Sequence, residues 1–120
     1  MSEPLVIDTL EKLVVKTCED STGYECFHNK FTKSDKPYIV YNYMESNEFY
    51  DNKALFRDYL VMIHLVSPYG IEMFGVKEKL KLDLQAAGFI YPSETDASDE
   101  DYQHYVLESR KGWNVAYGNS

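Results

Sequence analysis

Between Phe56 and Val66 the chain alternates two sets of side chains, and this run constrains the fold more than any other. Tyr59, Val61, Ile63 and Leu65 recur at every second position, and a period of two places them on one face of a β-strand. The residues between them, Asp58, Leu60, Met62 and His64, make a second face that is neither plainly wet nor plainly core. A strand of this kind needs strand neighbours for its backbone and a layer to cover its apolar face.

The rest of the chain supplies both. Tyr38-Ile39-Val40-Tyr41-Asn42-Tyr43-Met44 is dense in β-branched and aromatic residues and follows a turn at Lys33 to Pro37, which predicts a strand over 38–44. A shorter alternation around Phe27, Asn29 and Phe31 suggests another over 24–31, and residues 102–110 predict a closing strand. Val6, Leu10, Leu13, Val14 and Thr17 fall on one face of a helix over 3–17, with Ser2 as its cap and Pro4 in its first turn. Met73, Val76, Leu80, Leu84 and Ala87 do the same over 71–87. There Gly88 stands where a left-handed residue ends a helix, and Phe89 can pack back on Leu84. Glu45 to Lys53 is polar enough for a loop. The acidic stretch Glu94, Asp96, Asp99, Glu100 and Asp101, with no basic residue among them, predicts a solvated, mobile loop. Together these elements predict an α+β fold: an antiparallel sheet of about four strands with two helices packed on it, in one domain over 1–110 and a C-terminal tail over 111–120.

Charge narrows the function. Twelve Lys and Arg against 20 Asp and Glu leave a net charge of −8, which repels phosphate backbones and anionic lipid headgroups. No apolar run approaches the roughly 20 residues of a membrane span, and Met1 to Asp8 lacks the basic and long apolar regions of a signal peptide. The expectation is a chain neither secreted nor membrane-spanning, with Cys18 and Cys26 as free thiols. Tyr38, Tyr41 and Tyr43 could stack on bases, but an RNA-binding face pairs aromatics with basic residues, and the only arginines are Arg57 and Arg110. Tyrosine in an acidic chain suits a protein interface better.

No constellation for catalysis stands out. Candidate metal ligands are Cys18, Cys26, His28, His64 and His104, and Cys26-x-His28 could place two of them on one side of a strand. A second ligand pair at recognisable spacing is missing, so neither metal nor other cofactor is expected. Gly70 and Gly75 flank a segment without the Gly-Lys-Ser/Thr end of a phosphate loop, and no G-x-S-x-G turn occurs. Asp96 to Asp101 lacks the central glycine of a calcium loop.

The segment Pro37 to Tyr43, followed by Glu45-Ser46-Asn47-Glu48-Phe49-Tyr50-Asp51-Asn52 and then the strand Tyr59 to Leu65, resembles the small tail-completion proteins of long-tailed bacteriophages. Leu84-Gln85-Ala86-Ala87-Gly88-Phe89, the acidic loop and Tyr102 to Leu107 follow in the same order, so the resemblance spans about residues 5–110. It implies a tail terminator or head–tail joining subunit, an α+β protein without an active site. Such a subunit assembles as a hexameric ring, caps the tail tube protein, meets the head connector protein and lets DNA pass through its pore without specific binding. It implies location in the virion, after assembly in the host cytoplasm, with no membrane partner. A ring subunit buries two different surfaces through a heterologous contact, which would place Leu60, Met62 and His64 at a subunit interface. A head-completion adaptor of the connector is the alternative, and a small enzyme or ligand-binding module a more distant one.

Overall fold

The computed structural model describes residues 3–45 and 56–114. The Ser2 cap, the segment 46–52 with its acidic motif and the end of the chain past 114 lie outside the described residues. In chain order the elements are α1 (Glu3–Thr22), β1 (Glu25–His28), β2 (Tyr38–Glu45), β3 (Phe56–Pro68), α2 (Phe74–Ala86), β4 (Ser93–Asp96) and β5 (Tyr102–Asn114). One sheet runs in the order β1-β2-β3-β5-β4. β1 and β2 pair in parallel and the other three pairs are antiparallel. The α+β class is as the sequence predicts, but the sheet has five strands rather than about four and is mixed rather than antiparallel.

Both differences arise at the sheet edges. Asn29, at φ 57, turns the chain out of β1 while its N–H still donates to Tyr41 O at 3.0 Å. A left-handed backbone is one that asparagine tolerates better than most residues. The connection over 29–37 then carries the chain back, so that β2 starts beside the start of β1, with Tyr38 opposite Glu25. At the other edge Ser93–Asp96, expected to be loop, is strand β4, pairing with Tyr105 to Glu108 of β5. Its four residues are exposed overall, although the Glu94 side chain is partly covered by the lysines of α2, and an edge strand needs no apolar face.

Both helices cover one face. Leu10, Val14 and Cys18 of α1 and Leu80 and Leu84 of α2 are fully buried against Ile39, Tyr59, Val61, Ile63, Leu65 and Leu107 of the sheet, and Tyr41 is nearly so. α1 runs five residues past the predicted end at 17 because Cys18 continues the buried stripe and polar contacts carry the last turn. Thr22 Oγ1 donates to Cys18 O at 2.7 Å and accepts Tyr24 N–H at 3.0 Å. Gly23, at φ 75, donates its N–H back to Glu19 O. α2 begins at Phe74 rather than 71, since Gln103 Nε2 donates to both Pro68 O and Ile71 O and holds that segment out of the helix. Among the described residues no helix is long and apolar enough to cross a membrane.

The end of α2 is the predicted one. Phe89 N–H reaches Leu84 O and Gly88 N–H reaches Gln85 O, each at 3.0 Å, which is a Schellman closure with Gly88 at φ +100. Gly88→Ala is therefore expected to lower stability by about 1–2 kcal/mol, the cost of a Cβ in the left-handed region. Gly75→Ala, in open space inside the same helix, should raise stability slightly. Urea unfolding midpoints moving in opposite directions at constant slope check the pair.

Candidate functional site

The sheet face away from the helices is where the half-apolar residues of β3 lie. Register sets them in rows across β2, β3 and β5: Tyr38–Val66–His104, Val40–His64–Val106, Asn42–Met62–Glu108 and Met44–Leu60–Arg110. Leu60, Met62 and His64, the predicted interface residues, thus share one face and are half-buried. Met44 beside Leu60 is 62% exposed. Ile90 and Tyr91 extend the patch, lining with Leu60 and Arg110 a shallow cavity of about 290 Å³. Ile90 is held there by its N–H to Arg110 O at 2.9 Å. Asp58 and Arg110, 3.7 Å apart, mark the polar end of this apolar stripe. Contiguous exposed apolar side chains with a charged rim are what a protein contact surface shows.

At the other end of the face a smaller buried cluster forms from Tyr38, Val40 and Val66 with Phe27 and Tyr102 packed on it. Next to it His64 Nδ1 and His104 Nε2 are 2.8 Å apart. Burial holds the His64 imidazole below its ordinary pKa, and His104 adds to the effect. His104 is also held down by burial, with Asp99 and Asp96 opposing. Phe31 of the 29–37 connection meets both rings edge-on. Nothing in the spacing of His64 and His104 announced this pair, because it depends on the β3–β5 register.

The acidic segment is not the free loop the sequence predicts. Glu94 lies 2.8 Å from Lys77 Nζ and 2.6 Å from Lys81 Nζ, and these lysines hold its carboxyl below the usual range against the opposing effect of burial. Asp96 Oδ1 accepts Ser98 N–H, and Asp99 Oδ1 accepts the N–H groups of Asp101 and Tyr102. Tyr69 Oη donates to Asp99 O, and Ala97 N–H donates to His104 O at 2.8 Å. Glu100 and Asp101 are exposed. Glu94, Asp96 and Asp99 thus engage their carboxylates in turn geometry and one ion-pair network.

The remaining metal candidates do not converge. Cys26 and His28 do share the helix-side face, yet His28 stacks between Tyr41 and Tyr43 at 4.9 and 5.3 Å between centroids. Cys18 and Cys26 are free thiols. A hydrogen bond to Cys26, followed by burial, raises the Cys18 thiol well above its ordinary pKa. Among the described residues no group of three or more His, Cys, Asp or Glu side chains could hold a metal ion. Tyr43 Oη donates to the Glu11 carboxylate, and burial with that bond pushes the phenol well up.

No family model matches the chain, and no curated protein matches it. Solved structures do: 12 chains match. One of them superposes with a TM-score of 0.64 over 92% of this chain and 94% of its own, at 14% sequence identity. At that identity the likeness shows the fold alone.

Proposed function

We propose that this chain is a virion structural subunit, a tail terminator or tail-completion protein whose ring caps the tail tube of a long-tailed bacteriophage and joins it to the head. The observation that carries the reading is the sheet face that both helices leave uncovered among the described residues. Both helices cover one side of the sheet, while Met44, Leu60, Met62, Ile90 and Tyr91 lie together on or beside the other, half-buried or exposed. A subunit of a closed ring needs such a surface for its neighbour. The resemblance in segment order to tail-completion proteins supplies the identity of the assembly, and an acidic chain suits a pore through which DNA slides without sticking.

Removing the protein should leave replication and head assembly intact and yield DNA-filled heads beside unattached tails, some of abnormal length. Electron micrographs of lysates from a nonsense mutant test this. Heads that leak DNA beside tails of normal length would identify a head-completion adaptor instead. Unpackaged or unformed heads would defeat both structural readings and point to an early-acting factor or an enzyme.

A further inference from the structure

The two histidines on the helix-free face make a device that a docking surface does not require. Their nitrogens are 2.8 Å apart and their ring centroids 5.0 Å. The difference between these distances is about what the two rings themselves span, so the nitrogens lie between the rings and face each other. A shared metal ion would instead need both lone pairs to converge on a third point. One nitrogen carries a proton and the other accepts it. That bond survives when the pair is neutral and when it has gained one proton. A second added proton sets N–H against N–H, with two positive charges on half-buried rings, and the bond must open.

Phe31 rests on this bond. Its ring centroid is 5.2 Å from that of His64 and 5.9 Å from that of His104, in edge-on geometry to both. Phe31 is itself 53% exposed, so it caps the pair from outside and is not part of the core. Otherwise the connection is tied down through Tyr38, whose Oη donates to Thr32 O at 2.6 Å and accepts Thr32 N–H at 3.3 Å.

We propose that the 29–37 connection is a strap latched over the helix-free face by Phe31 seated on the His64–His104 hydrogen bond, and that double protonation of the pair releases it. Across the strands the register neighbours of the pair are Val40, Val66 and Val106, which carry no charge. Tyr38 and Tyr102 lie nearby in the small buried cluster. From the β4–β5 turn Asp96 and Asp99 favour the charged form of His104. From the strap, Phe31 is neutral, while Lys30 and Lys33 flank it in sequence. Burial outweighs the two carboxylates, so the latched state binds fewer protons than the open one and loses population as pH falls below the ordinary imidazole range. The strap stands whether or not the chain forms rings. If it does, acid would bare and charge the face beside Leu60 and Met62.

NMR of the intact protein tests the latch, following the imidazole and Phe31 ring protons from about pH 8 to about pH 4.5, a window that brackets imidazole titration. Two separate titration steps are expected. Phe31–imidazole cross-relaxation should persist through the first and vanish with the second, while methyl signals of Leu80 and Leu107 stay fixed. In His104→Gln the amide can offer either a donor or an acceptor to His64, so Phe31 should stay seated on His64 to the lowest pH. His64→Gln serves the same purpose should that variant fail to fold. Cross-relaxation that persists after both rings are charged, or rings that gain no second proton in this window, would overturn the proposal. So would release of Phe31 at the same pH in the glutamine variant as in the parent, or core methyls that move together with Phe31.

Discussion

In the proposed ring, Met62→Asp is expected to abolish subunit association while leaving the subunit folded. Met62 is half-buried on the helix-free face, with Asn42 and Glu108 as its register neighbours. In the isolated subunit a carboxylate at 62 stays in reach of water and meets only cross-strand repulsion from Glu108, about 0.2–1 kcal/mol. Sealed against a neighbouring subunit the same charge would be desolvated and unpaired. That costs about 3 kcal/mol or more, roughly a hundredfold or greater weakening at each contact. Met62→Lys is the control, since it can pair with Glu108 and relieve the repulsion while still charging the face. Both variants should sediment as monomers under conditions where the parent protein assembles, and both should keep cooperative urea unfolding. A large loss of stability in the lysine variant would place Met62 in the subunit's own core. Assembly that persists in both would show that this face is not the contact.

How much of this could be read beforehand depended on the range of the forces involved. The period of two over 56–66 and the spacing of Leu80, Leu84, Gly88 and Phe89 report local geometry, so β3, the end of α2 and the buried face of Tyr59, Val61, Ile63 and Leu65 were legible. β4 was not. Its Ser93-Glu94-Thr95-Asp96 has the composition of a loop, and what orders it is pairing with β5 together with two lysines of α2 at positions 77 and 81, distant in sequence from Glu94. Lys77 and Lys81 were hidden for the same reason. The helix stripe at Met73, Val76, Leu80 and Leu84 leaves them out, yet both are buried because their charged ends find Glu94. The parallel placement of β1 rests on the turn at Asn29 and the return of the chain over 29–37, and the His64–His104 bond on a register between strands separated by α2 and β4. Of the candidate site, Leu60, Met62 and His64 could be assigned to one face by alternation, whereas Met44, Ile90, Tyr91 and Phe31 joined them only through tertiary structure.

Glu94 is the position where a single substitution should cost this fold most through charge. Its carboxylate bridges Lys77 and Lys81, whose side chains are each only 11% exposed while its own is 25% exposed. Lys77 Nζ also lies 3.8 Å from the centre of the Tyr105 ring, and Lys81 has a second partner in Glu78 at 3.1 Å. Burial works against the Lys81 ammonium, but Glu94 and Glu78 outweigh it and hold its pKa above the ordinary value. Glu94→Gln would leave two nearly buried ammonium groups without their shared counter-charge. Breaking a fully buried pair costs about 3–5 kcal/mol. Partial exposure of Glu94 and the partners that remain reduce the expected loss to about 2–3 kcal/mol. The sign with pH follows from the direction of the Glu94 shift. Its carboxyl is held below the unfolded value, so its stabilisation is fully present above the ordinary carboxylate range and is lost as pH falls through the folded pKa. The stability gap between parent and Glu94→Gln in urea should therefore be constant from neutral pH to about pH 5 and close below about pH 4. Lys79→Ala supplies the contrast. Its 2.6 Å pair with Asp83 is as short, but the two side chains are 60% and 38% exposed, so its removal should hardly move the midpoint at any pH. Equal losses at both positions would mean that distance alone, without burial, sets the strength of these pairs, and the account of β4 as a strand anchored by buried lysines would fall with it.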